Sequence, residues 1–66
     1  MYNVNVIYNA AGKYKDIARE YMFAGMYANA QVLRQMSACL LSILRKIENG
    51  EMLTAQEVAV ACGYNN

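Results

Sequence analysis

The stretch Val32 to Ile47 constrains this chain more than any other. Leu33, Met36, Leu40, Ile43 and Ile47 recur at a 3,4,3,4 spacing, which places them on one stripe of a helix. Val32, Cys39 and Leu44 widen the stripe into a broad apolar face. A helix with such a face cannot stand alone in water and must be covered. The chain has only 66 residues, and a domain of that size buries only about 60% of its unfolded surface. The stripe is therefore expected to be an oligomer interface, with a homodimer as the simplest assembly. The composition points the same way, because 58% of residues are hydrophobic and only 17% charged. An ordinary globular domain carries about 25% charged residues.

Upstream, Tyr2, Val4, Val6 and Tyr8 alternate with Asn3, Asn5 and Ile7, a period-2 pattern that predicts a strand over residues 1–9. From residue 10 the period changes. Tyr14, Ile17, Ala18, Tyr21, Met22 and Gly25 share one side, with Lys13, Lys15, Asp16, Arg19 and Glu20 on the other. This predicts a helix over 10–24, with Asn9 as its N-cap. Gly25 costs about 1 kcal/mol inside a helix relative to Ala, which favours a turn between 24 and 29. The absence of Pro leaves one long kinked helix open.

A second helix is predicted over 28–49, closed by Gly50 in a left-handed conformation after Asn49. The third start is better marked. Thr54 and Glu57 form a capping box, and Leu53 and Val58 occupy the hydrophobic-staple positions of a helix over 54–62, capped by Gly63. The expected class is mainly α, a single small domain with a short N-terminal strand and two or three helices.

Strand followed by two helices, with Asn3 and Asn5 pointing outward, resembles the ribbon-helix-helix family of dimeric DNA-binding proteins over residues 2 to 47. That resemblance implies strand pairing across a two-fold axis. It would make Asn3 and Asn5 the groove-reading residues, since Asn contacts adenine bidentately. Ile7 stands where the family usually has a basic strand residue, and a net charge of +1 offers little to the DNA backbone. Leu53 to Tyr64, with Val58-Ala59 followed by Gly63 and Tyr64, resembles the first helix and turn of the helix-turn-helix in arabinose-operon-type regulators. The sequence ends at Asn66 before a recognition helix, so a capped amphipathic helix without a DNA role is the expectation there.

Catalysis finds no support in the residue types. Cys39 and Cys62 have no His to activate them. Asp16, Glu20, Glu48, Glu51 and Glu57 fall at helical surface positions or at a cap. Gly12-Lys13 lacks the rest of a phosphate loop. Two Cys and no His are too few ligands for a structural zinc site, so neither metal nor cofactor is expected. Both thiols are expected to be buried and reduced in the cytoplasm. No secretory leader is expected at Met1, and Arg34 splits uncharged runs far shorter than the ~20 residues of a membrane span.

Tyr14, Tyr21 and Tyr27, with Met22, Phe23 and Met26, exceed what one helix face can bury. Tyr, Met and Phe favour interfaces, so Tyr14, Tyr21, Phe23, Met26 and Tyr27 are the candidate partner-binding residues, unless they build the dimer core itself. Lys13, Lys15 and Arg19 would neutralise the phosphates of any small ligand between protomers. Together these features suggest a non-enzymatic regulatory protein that oligomerises and occludes a protein partner. Its Tyr- and Asn-rich composition resembles that of small inhibitors carried by phages and mobile elements. A ribbon-helix-helix repressor is the alternative.

Overall fold

The computed structural model describes residues 3–64. Helix α1 runs Val4–Phe23, α2 runs Tyr27–Glu48 and α3 runs Ala55–Cys62. There is no strand among the described residues. The mainly helical class is as the periodicity predicts, but the N-terminal strand is not formed; Met1 and Tyr2 of that expectation lie outside the described residues.

The physical reason for the correction lies at Asn3 and Ile7. The Asn3 side chain accepts a hydrogen bond from the Val6 backbone N–H at 3.2 Å, capping α1 six residues earlier than Asn9 would. Ile7 then lies on one helical face with Ala11, Tyr14 and Ala18, at spacings of four, three and four. Ile7 is fully buried in a cluster with Leu40, Ile43 and Leu44 of α2 and Ala61 of α3. A strand would turn Ile7 outward with the Asn residues and leave its backbone without a ladder partner. Burial of Ile7 outweighs the few tenths of a kcal/mol that Val4, Val6 and Ile7 lose as β-branched residues in a helix.

Both turns are built on glycine. Gly25 has φ +78° and Gly50 φ +71°, the left-handed region that L side chains avoid. After α1, the Met26 N–H donates to the Tyr21 carbonyl at 2.8 Å and the Gly25 N–H to that of Met22 at 3.1 Å. After α2, the Glu51 N–H donates to the Lys46 carbonyl at 2.9 Å and the Gly50 N–H to that of Ile47 at 3.2 Å. Each pair is a Schellman closure. Gly25 thus ends α1 outright and folds the chain into an antiparallel α1–α2 hairpin.

The hairpin seam is unequal along its length. Buried Ser37 donates its Oγ–H to the Ala11 carbonyl at 2.9 Å, which fixes the register of the two helices. One heptad closer to the turn, that register sets Ala18 opposite Ala30, and both are buried. Away from the turn, Ile7, Leu40, Ile43 and Leu44 make a wider core, over which α3 lays Ala61, with Leu53, Val60 and Tyr64 packed at the margin.

Helix α3 is held by its own capping box. The Glu57 N–H donates to Thr54 Oγ1 at 3.2 Å, and the Thr54 N–H donates to Glu57 Oε1 at 2.9 Å. Lys46 Nζ reaches the same Glu57 Oε1 at 2.9 Å, tying α3 to the last turn of α2. These bonds hold the Glu57 carboxyl below its ordinary pKa, with the Thr54 backbone N–H the largest cause and Lys46 next.

Candidate functional site

The uneven seam determines where apolar surface is left over. Ala18 and Ala30 let the helices close on each other near the turn without large side chains between them. The bulky residues around that turn are left partly or largely exposed. Phe23 is 86% exposed, Tyr27 65%, Met26 46% and Met22 41%. Phe23 ends α1, Met26 precedes α2 and Tyr27 begins it, so the four side chains gather at one end of the hairpin. Scattered single apolar residues are ordinary on a surface, whereas several gathered in one place make a candidate contact site.

A cleft of about 550 Å³ opens beside this tip, with Met22 and Phe23 in its wall. Lys15 and Arg19 reach it from α1 and Arg34 from α2; Asp16 is the one carboxylate in the lining. Among the described residues the Lys46–Glu57 pair is the one ion pair, so the three cations of the cleft hold no carboxylate.

Of the partner-binding candidates, Phe23, Met26 and Tyr27 are gathered at the tip, and Tyr21 is half-buried in the last turns of α1. Tyr14 lies elsewhere. Its hydroxyl is 3.0 Å from that of Tyr64, beside the core under α3. The hydrogen bond to Tyr14, followed by burial, pushes the Tyr64 phenol up to about 12. No local signal in the sequence joins these two residues, which are 50 positions apart. Arg34 also escapes a reading by sequence, because it joins Lys15 and Arg19 only when α2 folds back.

The stripe expected at an oligomer interface is divided. Leu40 and Ile43 are buried against α1 within the same chain, so neither is available to a second copy. Leu33 and Ile47 are half-buried, and Met36 stays 40% exposed. Asn3 and Asn5 do not form a reading face: Asn3 is engaged as a cap, and Asn5 lies in the first turn of α1. The ribbon that would carry both into a groove is absent from the described residues. Cys39 and Cys62 are free and exposed, contrary to their expected burial. Cys39 borders a cavity of about 180 Å³ shared with Tyr14, Met36 and Tyr64. No three His, Cys, Asp or Glu residues among those described converge as metal ligands, and no described helix is long and apolar enough to cross a membrane.

No protein-family model matches this chain, and neither a curated protein nor a solved structure is significantly similar to it.

Proposed function

We propose that this chain is a non-enzymatic protein-binding module that occludes its partner with the tip of the α1–α2 hairpin. The observation that carries the reading is the exposure of Phe23 beside Met22, Met26 and Tyr27. Aromatic and Met side chains are the types enriched in the centres of protein interfaces, where they supply most of the binding energy. Two closed helices and a Schellman turn hold the tip in shape before contact, which reduces the ordering cost of association. Occlusion, rather than chemistry, suits a surface whose useful groups are apolar. The compositional analogy to phage and mobile-element inhibitors accompanies this reading, as does a cytoplasmic setting in which exposed Cys39 and Cys62 stay reduced.

Homodimerisation is the second element of the proposal. Leu40 and Ile43 are occupied within the chain, so the residues left for a second copy are Met36 and Val32, with Leu33 at their edge. Sedimentation equilibrium of Met36→Asp beside the parent chain tests it. A parent chain that is monomeric at low micromolar concentration removes the dimer from the proposal.

The occlusion reading is tested by placing a photo-crosslinking phenylalanine at position 23 and, as control, at exposed Ser42. In the source cell, position 23 should label one partner that Tyr27→Ser releases, and position 42 should not label it. Equal labelling from both positions, or labelling indifferent to Tyr27→Ser in a folded chain, refutes it.

A further inference from the structure

We propose that the partner presents an acidic, amphipathic protein segment, which seats its carboxylates on Lys15, Arg19 and Arg34 and its apolar side chains on Met22 and Phe23. This inference rests on the protein-binding reading and names the chemistry of the partner at that site. Charge is the first argument. Three cations face one cleft against the single carboxylate of Asp16, and none of the three is within ion-pair distance of a carboxylate among the described residues. The second argument is their arrangement. Lys15 and Arg19 stand four residues apart on α1, where like charges repel and destabilise the helix; Arg34 of α2 joins them across the cleft. An incoming carboxylate relieves that repulsion.

The third argument is the wall itself. Met22 and Phe23 continue the cleft into the exposed tip, so a ligand that fits must pair apolar groups with acidic ones. A nucleic acid satisfies only half of this. Its affinity comes mostly from phosphate neutralisation, and three cations beside Asp16 in a chain of net charge +1 are a poor match for a polyanion. An anionic lipid surface meets the same objection, since it attracts clusters of more basic residues than these.

The test uses the full chain and synthetic peptides with Leu on one helical face and Glu along its flank, beside the same peptides with Gln for Glu. The Glu peptides should bind more tightly, and the preference should shrink as salt rises from ~50 mM to ~300 mM, because exposed pairs are screened. Arg19→Glu and Arg34→Glu should each weaken binding roughly threefold to tenfold, the range for reversing an exposed ion pair. A peptide with Lys for Glu should regain affinity for the Arg34→Glu chain. All variants are compared at equal helicity, since these side chains lie at the surface.

Equal binding of Glu and Gln peptides overturns the proposal, as does a preference that survives both reversals. Equal competition by single-stranded DNA or phosphatidylserine vesicles also overturns it, because the cleft would then be a general polyanion site. A dimer of the parent chain that Arg34→Glu dissociates would assign the cleft to a second copy and overturn it too. Failure here is distinguishable from failure of the protein-binding reading. If position 23 still labels a partner that charge reversal does not release, only the acidic chemistry falls; if position 23 labels nothing specific, the occlusion reading falls as well.

Discussion

Ile7→Ala separates a helical N-terminus from the strand that its alternation suggests. In α1 this side chain is fully buried among Ala11, Leu40, Ile43, Leu44 and Ala61. Truncation removes roughly three methylene-sized groups at about 0.8 kcal/mol each, or about 2.4 kcal/mol of transfer free energy. The cavity left behind adds to this, because α2 and α3 cannot fully collapse on it, so about 2.5–4 kcal/mol is expected. A chain of 66 residues holds roughly 3–10 kcal/mol in all at the usual stability per residue. The variant should therefore sit near the edge of folding, with its melting temperature lowered by about 10 °C or more. The assay is urea unfolding followed by far-ultraviolet circular dichroism. Tyr8→Ala is the control: the Tyr8 side chain, next in sequence, is 64% exposed, so its loss should cost no more than about 0.5 kcal/mol. In a strand with Val4, Val6 and Tyr8 inward, the order would be reversed. An Ile7→Ala variant as stable as its parent, or a Tyr8→Ala variant less stable than Ile7→Ala, refutes the helical packing of the N-terminus.

Other consequences are open to direct measurement. Asn3→Ala should cost about 1 kcal/mol in the same unfolding assay through the lost cap, whereas Asn9→Ala should be near neutral because α1 has already begun. Ser37→Ala should destabilise by about 0.5–1.5 kcal/mol, the net value of one hydrogen bond; a neutral result would mean that the contact with the Ala11 carbonyl does not set the hairpin register. The Tyr64 phenol is raised from 10.0 to about 12, so its contribution is complete below pH 10 and is lost as pH rises through about 12. The stability advantage of the parent over Tyr64→Phe, which has no phenol there to ionise, should accordingly be constant below pH 10 and shrink as pH rises towards 12; a difference that does not change with pH would remove the Tyr14 hydrogen bond as the cause. The Glu57 carboxyl is lowered from 4.5, so its contribution is present above pH 4.5 and disappears as pH falls through the depressed value. Glu57→Gln should flatten the acid limb of the stability profile, and an unchanged limb would remove the capping box and Lys46 from its causes.

What the sequence determined by itself is short-range. The capping box of Thr54 and Glu57 and the helix end at Asn49-Gly50 need only residues within a few positions, and the structure forms both. The turn at Gly25 was legible as a preference, since a left-handed Gly is the cheapest way to end a helix without Pro. The mainly helical class followed from the 3,4 spacing of Val32 to Ile47. The N-terminal segment was different: over seven residues its alternation is compatible with a strand, and only contact with Leu40 and Ile43, more than thirty positions away, gives Ile7 a reason to face inward on a helix. Tertiary structure also decided what covers the apolar stripe. Sequence periodicity shows that Leu40 and Ile43 must be buried, but not whether α1 or a second copy does it. The candidate site depends on the same fact at another scale. Its cations stand on two helices, and its apolar tip is exposed because the seam narrows to Ala18 and Ala30, a consequence of how the helices meet rather than of any local pattern.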